Sequence, residues 1–262
     1  MAVNRNTYIN TVTRNREDSP HTYIKFFQLN LQHTRAATDN LVKLIAEQGT
    51  GIRLLQEPYT KQNKIVGIPI RHKIFTHGES RTRAAIVVTN NQIDTLLIKQ
   101  LSDSDTVDLE VTLDNARIVL ANMYLDINQH IDDNLLKIEA IIQHAKGEGI
   151  ILAMDSNSRS TTWHDTQTNA RGRILEEFLI SNQLHILNDD SDYTTFSRTR
   201  GSSNIDLTIV NTQLLRITKE WEIWNHDSCS DHNIIRYTIG QARGDNSAQR
   251  TQEPRYIVQG VT

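Results

Sequence analysis

Between residues 22 and 240 short apolar runs alternate with stretches whose apolar residues recur every three or four positions. Tyr23-Ile24-Lys25-Phe26-Phe27-Gln28-Leu29 reads as a strand leading into Asn30, because aromatic and β-branched residues suit a pleated, half-buried surface. Leu41, Leu44, Ile45 and Gln48 then share one helical face, and Gly49 stands where a C-cap would. Residues 52–55 form a short buried strand ending at Gln56-Glu57-Pro58. Residues 84–88, 107–113 and 118–124 read as strands, the last two joined by a hairpin turn at Asp114-Asn115. Leu135, Ile138, Ile142 and Ala145 mark an amphipathic helix closed by Gly147, and residues 150–154 a buried strand ending at Asp155. Ile174, Leu175, Phe178 and Leu179 mark another helix, followed by strands near 185–187, 193–196, 205–210, 221–224 and 234–239. Early helices and a strand-rich end predict two packed sheets with helices outside, an α/β (α+β) fold.

Residues 1–21 lack this periodicity and read as a flexible N-terminal arm. Residues 241–262, with Gly244, Asn246, Ser247 and Gln249, read as a flexible tail or linker. No repeat or Pro/Gly-rich boundary divides the rest, so one domain over 22–240 is expected. Cys229 is the only cysteine, which excludes an intrachain disulfide and a Cys-based zinc site and suits a reducing compartment. No apolar run approaches a membrane span and no signal core opens the chain, so no membrane is expected and cytosol or nucleus is the default. The net charge of −3 neither supports nor excludes a nucleic-acid partner. Its distribution is more telling: acids cluster in 103–114 and 126–133, whereas Arg171, Arg173, Arg198 and Arg200 fall in loops or at a helix start.

Polar residues recur at the ends of the apolar strands: Asn30, Glu57, Tyr124, Asp155 with Asn157, Asp206, and Asp231-His232. Singly, each has a plainer reading. Asn30 and Asn157 suit turns, Glu57 precedes a proline, and Tyr124 suits a core edge. Asp206 is harder to dismiss, because an aspartate flanked by Ile205, Leu207, Ile209 and Val210 is a poor strand former whose buried charge needs a partner such as a histidine. Together the residue types match phosphodiester hydrolysis, which needs a cation, an activated water and a stabilised leaving oxygen. Glu57, with Asn30 or Asp231 nearby, offers hard oxygen ligands suited to Mg²⁺ or Mn²⁺. Asp206 would orient His232 and raise its basicity. Asp155 and Asn157, two apart on an extended segment, would face one side and serve the water or the leaving group.

At Leu29-Asn30-Leu31-Gln32, Leu55-Gln56-Glu57-Pro58, Asn122-Met123-Tyr124, Asp155-Ser156-Asn157, Ser203-Asn204-Ile205-Asp206 and Ser230-Asp231-His232 the chain resembles the exonuclease–endonuclease–phosphatase superfamily. Within it the chain is most similar to endonuclease domains of non-LTR retrotransposons, and among these to the insect TRAS type, which inserts into telomeric repeats. The resemblance implies a four-layer α/β/β/α sandwich of two mostly antiparallel sheets. It also implies a Mg²⁺- or Mn²⁺-dependent enzyme that nicks one strand of double-stranded DNA in the nucleus, leaving a 3′-hydroxyl to prime reverse transcription by the rest of the polyprotein. Glu57 becomes a metal ligand with Asn30 and Asp231 beside it. His232, paired with Asp206, acts on the scissile phosphate; Tyr124 touches the phosphate or leaving group; Asp155 and Asn157 position water or the leaving oxygen; Thr194 borders the site. Two departures stand out: Gln32 where abasic-site repair enzymes carry an aspartate, and Met154 in place of the glycine of a Gly-Asp-x-Asn motif.

For DNA contact, Arg198-Thr199-Arg200-Gly201-Ser202-Ser203 is either a solvated hairpin or, as the resemblance implies, a groove-contacting one. A second surface spans 158–173, with Arg159, Trp163, His164, Arg171 and Arg173. There Trp163 either stacks on bases or anchors the loop. The competing functions are abasic-site repair, a phosphatase of the same fold, and a DNA-binding module without activity.

Overall fold

In the computed structural model, which describes residues 22–113 and 115–241, the apolar runs pair into two six-stranded sheets. The expected arm at 1–21, the tail beyond Gln241 and Asp114 of the expected turn lie outside the described residues. The chain begins β1 (Thr22–Asn30), α1 (Arg35–Gln48), β2 (Ile52–Gln56), β3 (Thr60–Lys61), β4 (Lys64–Ile65), β5 (Lys73–Phe75), β6 (Ala84–Val88), β7 (Asp94–Leu97), β8 (Thr106–Leu113) and β9 (Ala116–Tyr124). It continues through α2 (Ile131–Ala145), β10 (Gly149–Asp155), α3 (Ala170–Ser181), β11 (Leu184–Ile186), β12 (Phe196–Arg198), β13 (Gly201–Ser203), β14 (Asp206–Asn211), α4 (Thr212–Leu215), β15 (Thr218–Trp224) and β16 (Ile234–Gln241).

One sheet has the order β15-β16-β1-β2-β6-β5 and the other β11-β14-β10-β9-β8-β7. Among the described pairings β1–β2 and β9–β10 are parallel and the remainder antiparallel. A parallel pair needs a crossover, and the amphipathic helices α1 and α2 supply one each. The two-residue period of a strand then sorts side chains into layers. On β9, Ile118 and Leu120 enter the core between the sheets, while Val119, Ala121 and Met123 face a second core built with α2 and α3. A third core packs Leu41, Leu44 and Ile45 of α1 on Phe27, Leu29 and Leu55. The result is the expected layering of helix, sheet, sheet and helices.

Buried amides pin the two sheets together close to one end. Gln56 Nε2 donates to Asn122 Oδ1 (2.6 Å), and Asn122 Nδ2 donates to the carbonyls of Leu55 and Ala85, each at 2.9 Å. Gln28 Nε2 donates to the carbonyls of Met154 (3.3 Å) and Leu207 (3.2 Å), and Thr208 Oγ1 donates to Gln28 Oε1 at 3.1 Å. These bonds run from one sheet to the other, so the strand ends beyond them are held in register.

The strand expected at 193–196 begins only at Phe196 and runs to Arg198. Thr194 and Thr195 do not join the ladder, because local bonds hold them: Thr194 Oγ1 donates to the Phe196 carbonyl (2.9 Å) and the Thr195 N–H to Asn204 Oδ1 (2.9 Å). Arg198 therefore stands in a strand of the hairpin, with Thr199 and Arg200 forming its turn.

Candidate active site

The pinned ends of β1, β2, β9 and β10 and the start of β14 lie side by side. Asn30 is opposite Gln56, Tyr124 opposite Asp155, and Asp155 opposite Asp206. A cleft opens above them, lined by Glu57, Tyr124, Asp155, Asn157 and His232 together with Gln32, Ile127, Arg159, Phe196 and Arg198. Residues far apart in sequence are thus gathered by strand register and by the loops that leave the strand ends.

At the floor, His232 Nδ1 and Asp206 Oδ2 are 2.8 Å apart, with both side chains buried. Asn30 Nδ2 donates to Asp155 Oδ2 at 2.8 Å. Among the described residues Asp155, Asp206 and His232 are the group whose ligating atoms all lie within 4.8 Å of one another. Burial pulls the His232 imidazole down, but the charge and hydrogen bond of Asp206, with Asp155 and Glu57 beyond, outweigh it and raise the group to about 9. Burial and the neighbouring Asp206 push the Asp155 carboxyl up. The floor therefore holds an imidazolium between two carboxyls, one of them poised to carry a proton. Phe196 covers the imidazole edge-on, ring centroids 4.9 Å apart.

Glu57 forms the wall. Its backbone is left-handed (φ 45°), held by bonds from its N–H to the Arg83 carbonyl (2.8 Å) and to its carbonyl from the His33 N–H (2.7 Å). Burial raises its carboxyl, yet His33, with Nε2 3.3 Å away, and Asn30 and His232 bring it below the ordinary value. Gln32 (φ 47°), His33 (φ 54°) and Asn157 (φ 48°) share this strained region, which clusters at functional sites. Asn157 is consequently not on an extended segment, as expected from its spacing. It still faces the cleft beside Asp155, because its amide Nδ2 donates to the Leu125 carbonyl at 3.1 Å.

The donor set at this wall suits a hard divalent cation, since Glu57 presents carboxylate oxygens to the cleft. The other two expected ligands are engaged within the protein. Asn30 Oδ1 accepts from the Gln32 N–H (2.8 Å), and Asp231 Oδ2 accepts from Gln32 Nε2 (3.0 Å) and from Arg198 Nε. Those two donors hold the Asp231 carboxyl below its ordinary value. Gln32 also accepts from the Asp231 N–H at 2.9 Å and from Ser230 Oγ at 3.2 Å, so the residue that departs from repair enzymes is a strut for the Asp231 loop. Met154, at the missing glycine, is buried in the core under α2 and α3.

Of the expected DNA-facing residues, Arg198, Arg200, Gly201 and Ser202 are exposed on the hairpin, with Gly201 at φ 148°. Arg173 is exposed on α3, away from the cleft lining, and Thr194 turns back on its own loop. Arg159 lines the cleft but spends its guanidinium on Asp165. Trp163 has 0% exposure and packs with Leu175 and Leu179, so it anchors the loop and stacks on nothing outside the protein. Sequence reasoning missed Arg83, whose guanidinium lies 4.8 Å from the Tyr124 ring centroid while pairing with Asp105 and Asp126. It also missed His33 beside Glu57, though His33 sits within the Gln28–His33 segment that carries the resemblance.

Comparison with known proteins agrees with this geometry. Residues 118–236 match a family described as endonuclease-reverse transcriptase. The chain is 29% identical over 219 residues to a putative 115 kDa protein in the type-1 retrotransposable element R1DM of Drosophila melanogaster, covering 80% of this chain and 21% of that protein. It is 25% identical over 189 residues to a retrovirus-related Pol polyprotein from the type-1 retrotransposable element R1 of Bradysia coprophila, covering 68% and 19%. The chain thus spans about a fifth of the length of these curated relatives. Its structure is similar to the endonuclease domain of TRAS1, a telomere-specific non-LTR retrotransposon (TM-score 0.75, 28% identity, 83% of this chain and 98% of that one). An AP endonuclease from Leishmania major shares the fold (TM-score 0.66, 13% identity, 84% of this chain and 88% of that one). Site geometry and these likenesses converge: the chain is similar to the endonuclease domains of non-LTR retrotransposons, within the exonuclease–endonuclease–phosphatase superfamily.

Proposed function

We propose that the chain nicks one strand of double-stranded DNA in a Mg²⁺- or Mn²⁺-dependent reaction, leaving a 3′-hydroxyl that primes reverse transcription by the remainder of its polyprotein in the nucleus. The observation that carries this reading is the cleft where Glu57, Tyr124, Asp155, Asn157 and the His232–Asp206 pair converge. A divalent cation would be held by Glu57, with Asn30 and Asp231 at the same edge, and would supply charge neutralisation of the phosphate. The chain's own residues do the rest. His232, its Nδ1 held by Asp206, donates from Nε2 to a phosphoryl oxygen. Asp155 takes a proton from the attacking water, steadied by Asn30. Asn157 and Tyr124 donate to the leaving oxygen, with Arg83 holding the tyrosine ring in place. Arg198, Arg200, Gly201 and Ser202, exposed on the hairpin, form the face turned to DNA, and the buried Trp163 anchors the neighbouring loop.

The proposed target is a telomeric repeat, supported by the likeness to TRAS1. Identity to the R1DM protein (29%) equals that to TRAS1 (28%) to within a per cent, so cleavage must decide. Incubated with Mg²⁺, a telomeric-repeat duplex is expected to be nicked faster than a scrambled one, and the nick to be extended by a polymerase without end repair. Equal cleavage of both duplexes removes the telomeric target. Ends that block extension remove the priming role.

A further inference from the structure

The hairpin β12–β13 pairs with neither large sheet, and strands of three residues do not hold an orientation by themselves. Two sets of bonds supply one. On one side the Ser197 N–H donates to the Asp231 carbonyl (2.8 Å), the Asn233 N–H donates to the Thr195 carbonyl (2.7 Å), and Phe196 bridges to His232. The hairpin base is thereby sewn to the loop carrying the floor histidine.

The other side is held by Asp165, whose carboxylate is fully buried. Its Oδ1 accepts from Arg159 Nε at 2.8 Å and its Oδ2 from the Asn204 N–H at 2.9 Å. Asn204 passes the connection on: its Oδ1 accepts from the Thr195 N–H (2.9 Å) and its Nδ2 donates to the His164 carbonyl (2.9 Å). Arg159 Nη2 adds bonds to Thr166 Oγ1 (3.0 Å) and the Ser202 carbonyl (3.5 Å). Thr195 Oγ1 accepts from the Asp206 N–H at 3.0 Å, so the same knot ends on the residue that holds His232. A buried carboxylate is retained only when it is paired and hydrogen-bonded, and both Asp165 oxygens are used, one on each partner. Asp165 is outside the cleft lining and has no atom left for chemistry.

We infer that Asp165 is a positioning residue that clamps the hairpin at a fixed offset from His232, so that the bases met by the hairpin determine which phosphodiester enters the cleft. This rests on the DNA-nicking reading. Rigid mounting matters because a displacement of about 1 Å at a reacting centre costs on the order of 100-fold in rate.

The test maps cuts at nucleotide resolution on an end-labelled duplex containing a site that the wild-type chain prefers, for Asp165→Asn, Arg159→Ala and Arg159→Lys. In Asp165→Asn the ratio of cutting at the preferred bond to cutting at its neighbours is expected to fall by about 10-fold or more, with kcat affected more than KM. Arg159→Ala keeps the Asp165–Asn204 bond and is expected to give a smaller fall, which Arg159→Lys partly reverses. A purely structural role would lower the melting temperature and the yield of active enzyme while leaving the cut pattern as in wild type, and that result overturns the inference. Should Asp165→Asn not fold, the pattern of Arg159→Ala decides. An uncut duplex with wild-type protein defeats the nicking reading itself, whereas wild-type cuts unchanged in the variants defeat only the clamp.

Discussion

Asp206→Asn removes the charge beside His232 and little else, since the two side chains are nearly isosteric. In the metal-free protein the rise of His232 from 6.5 to about 9 is worth about 3 kcal/mol, at roughly 1.4 kcal/mol for each tenfold change in proton affinity. That is a net figure, left after burial has pulled the imidazole the other way. Without Asp206, burial is opposed only by Asp155 and Glu57, so His232 is expected to titrate near or below 6.5. The consequence for folding has a definite sign. Stability from a raised histidine is fully present below its unfolded value and is lost as pH rises through the folded one. Metal-free wild type should therefore lose up to about 3 kcal/mol of unfolding free energy between pH 6.5 and pH 9, and Asp206→Asn should lose much less across that window. Two measurements check it: NMR titration of the His232 ring protons in EDTA, and urea unfolding at several pH values. A wild-type midpoint at or below 6.5, or one that Asp206→Asn leaves in place, refutes the reasoning.

Other outcomes follow from the same structure. Trp163→Ala should cost about 3–5 kcal/mol in urea unfolding, as expected for a fully buried indole, and a loss of under about 1 kcal/mol would refute its anchoring role. Asp108 on β8 is buried with Oδ1 unpartnered, and burial followed by Asp103 raises it well above 3.8. An acid raised on folding makes stability fall as pH climbs from its unfolded value, so Asp108→Asn should flatten that slope; an unchanged slope would contradict the assignment. Arg200→Ala, at the exposed hairpin turn, should weaken DNA binding and reduce its salt dependence by about one ion while leaving the melting temperature in place. An unchanged salt slope would remove Arg200 from the DNA face.

Much of the site was legible because its residues break local rules. Asp206 stands out as a charge in an apolar strand, Glu57 and Asp155 close apolar runs, and Asp231-His232 stands just before one. The strand ends were predictable from periodicity, and register then brought Asp155 opposite both Tyr124 and Asp206. What escaped the sequence depends on partners far along the chain. Arg83 precedes a strand with no local sign that it will lie over Tyr124, 41 positions on (124 − 83). Asp165 reads as a solvated loop residue until Arg159 and Asn204 close around it. Gln32 stands out in the sequence only as a departure from the aspartate of repair enzymes, whereas its amide offers both a donor and an acceptor to the Asp231 loop, which a carboxylate could not do. Trp163 was ambiguous because burial of one indole depends on how α3 packs, which periodicity does not report.

Glu57 and the His232–Asp206 pair are proposed to hydrolyse DNA with a divalent cation. Nicking of supercoiled plasmid tests that proposal most directly, run with Mg²⁺ and with EDTA for wild type, Glu57→Gln and His232→Ala. Relaxed circles are expected from wild type with Mg²⁺ alone, with a fall on the order of 100-fold or more in each variant that retains the wild-type melting behaviour. Relaxation in EDTA, or undiminished nicking by His232→Ala, would contradict it.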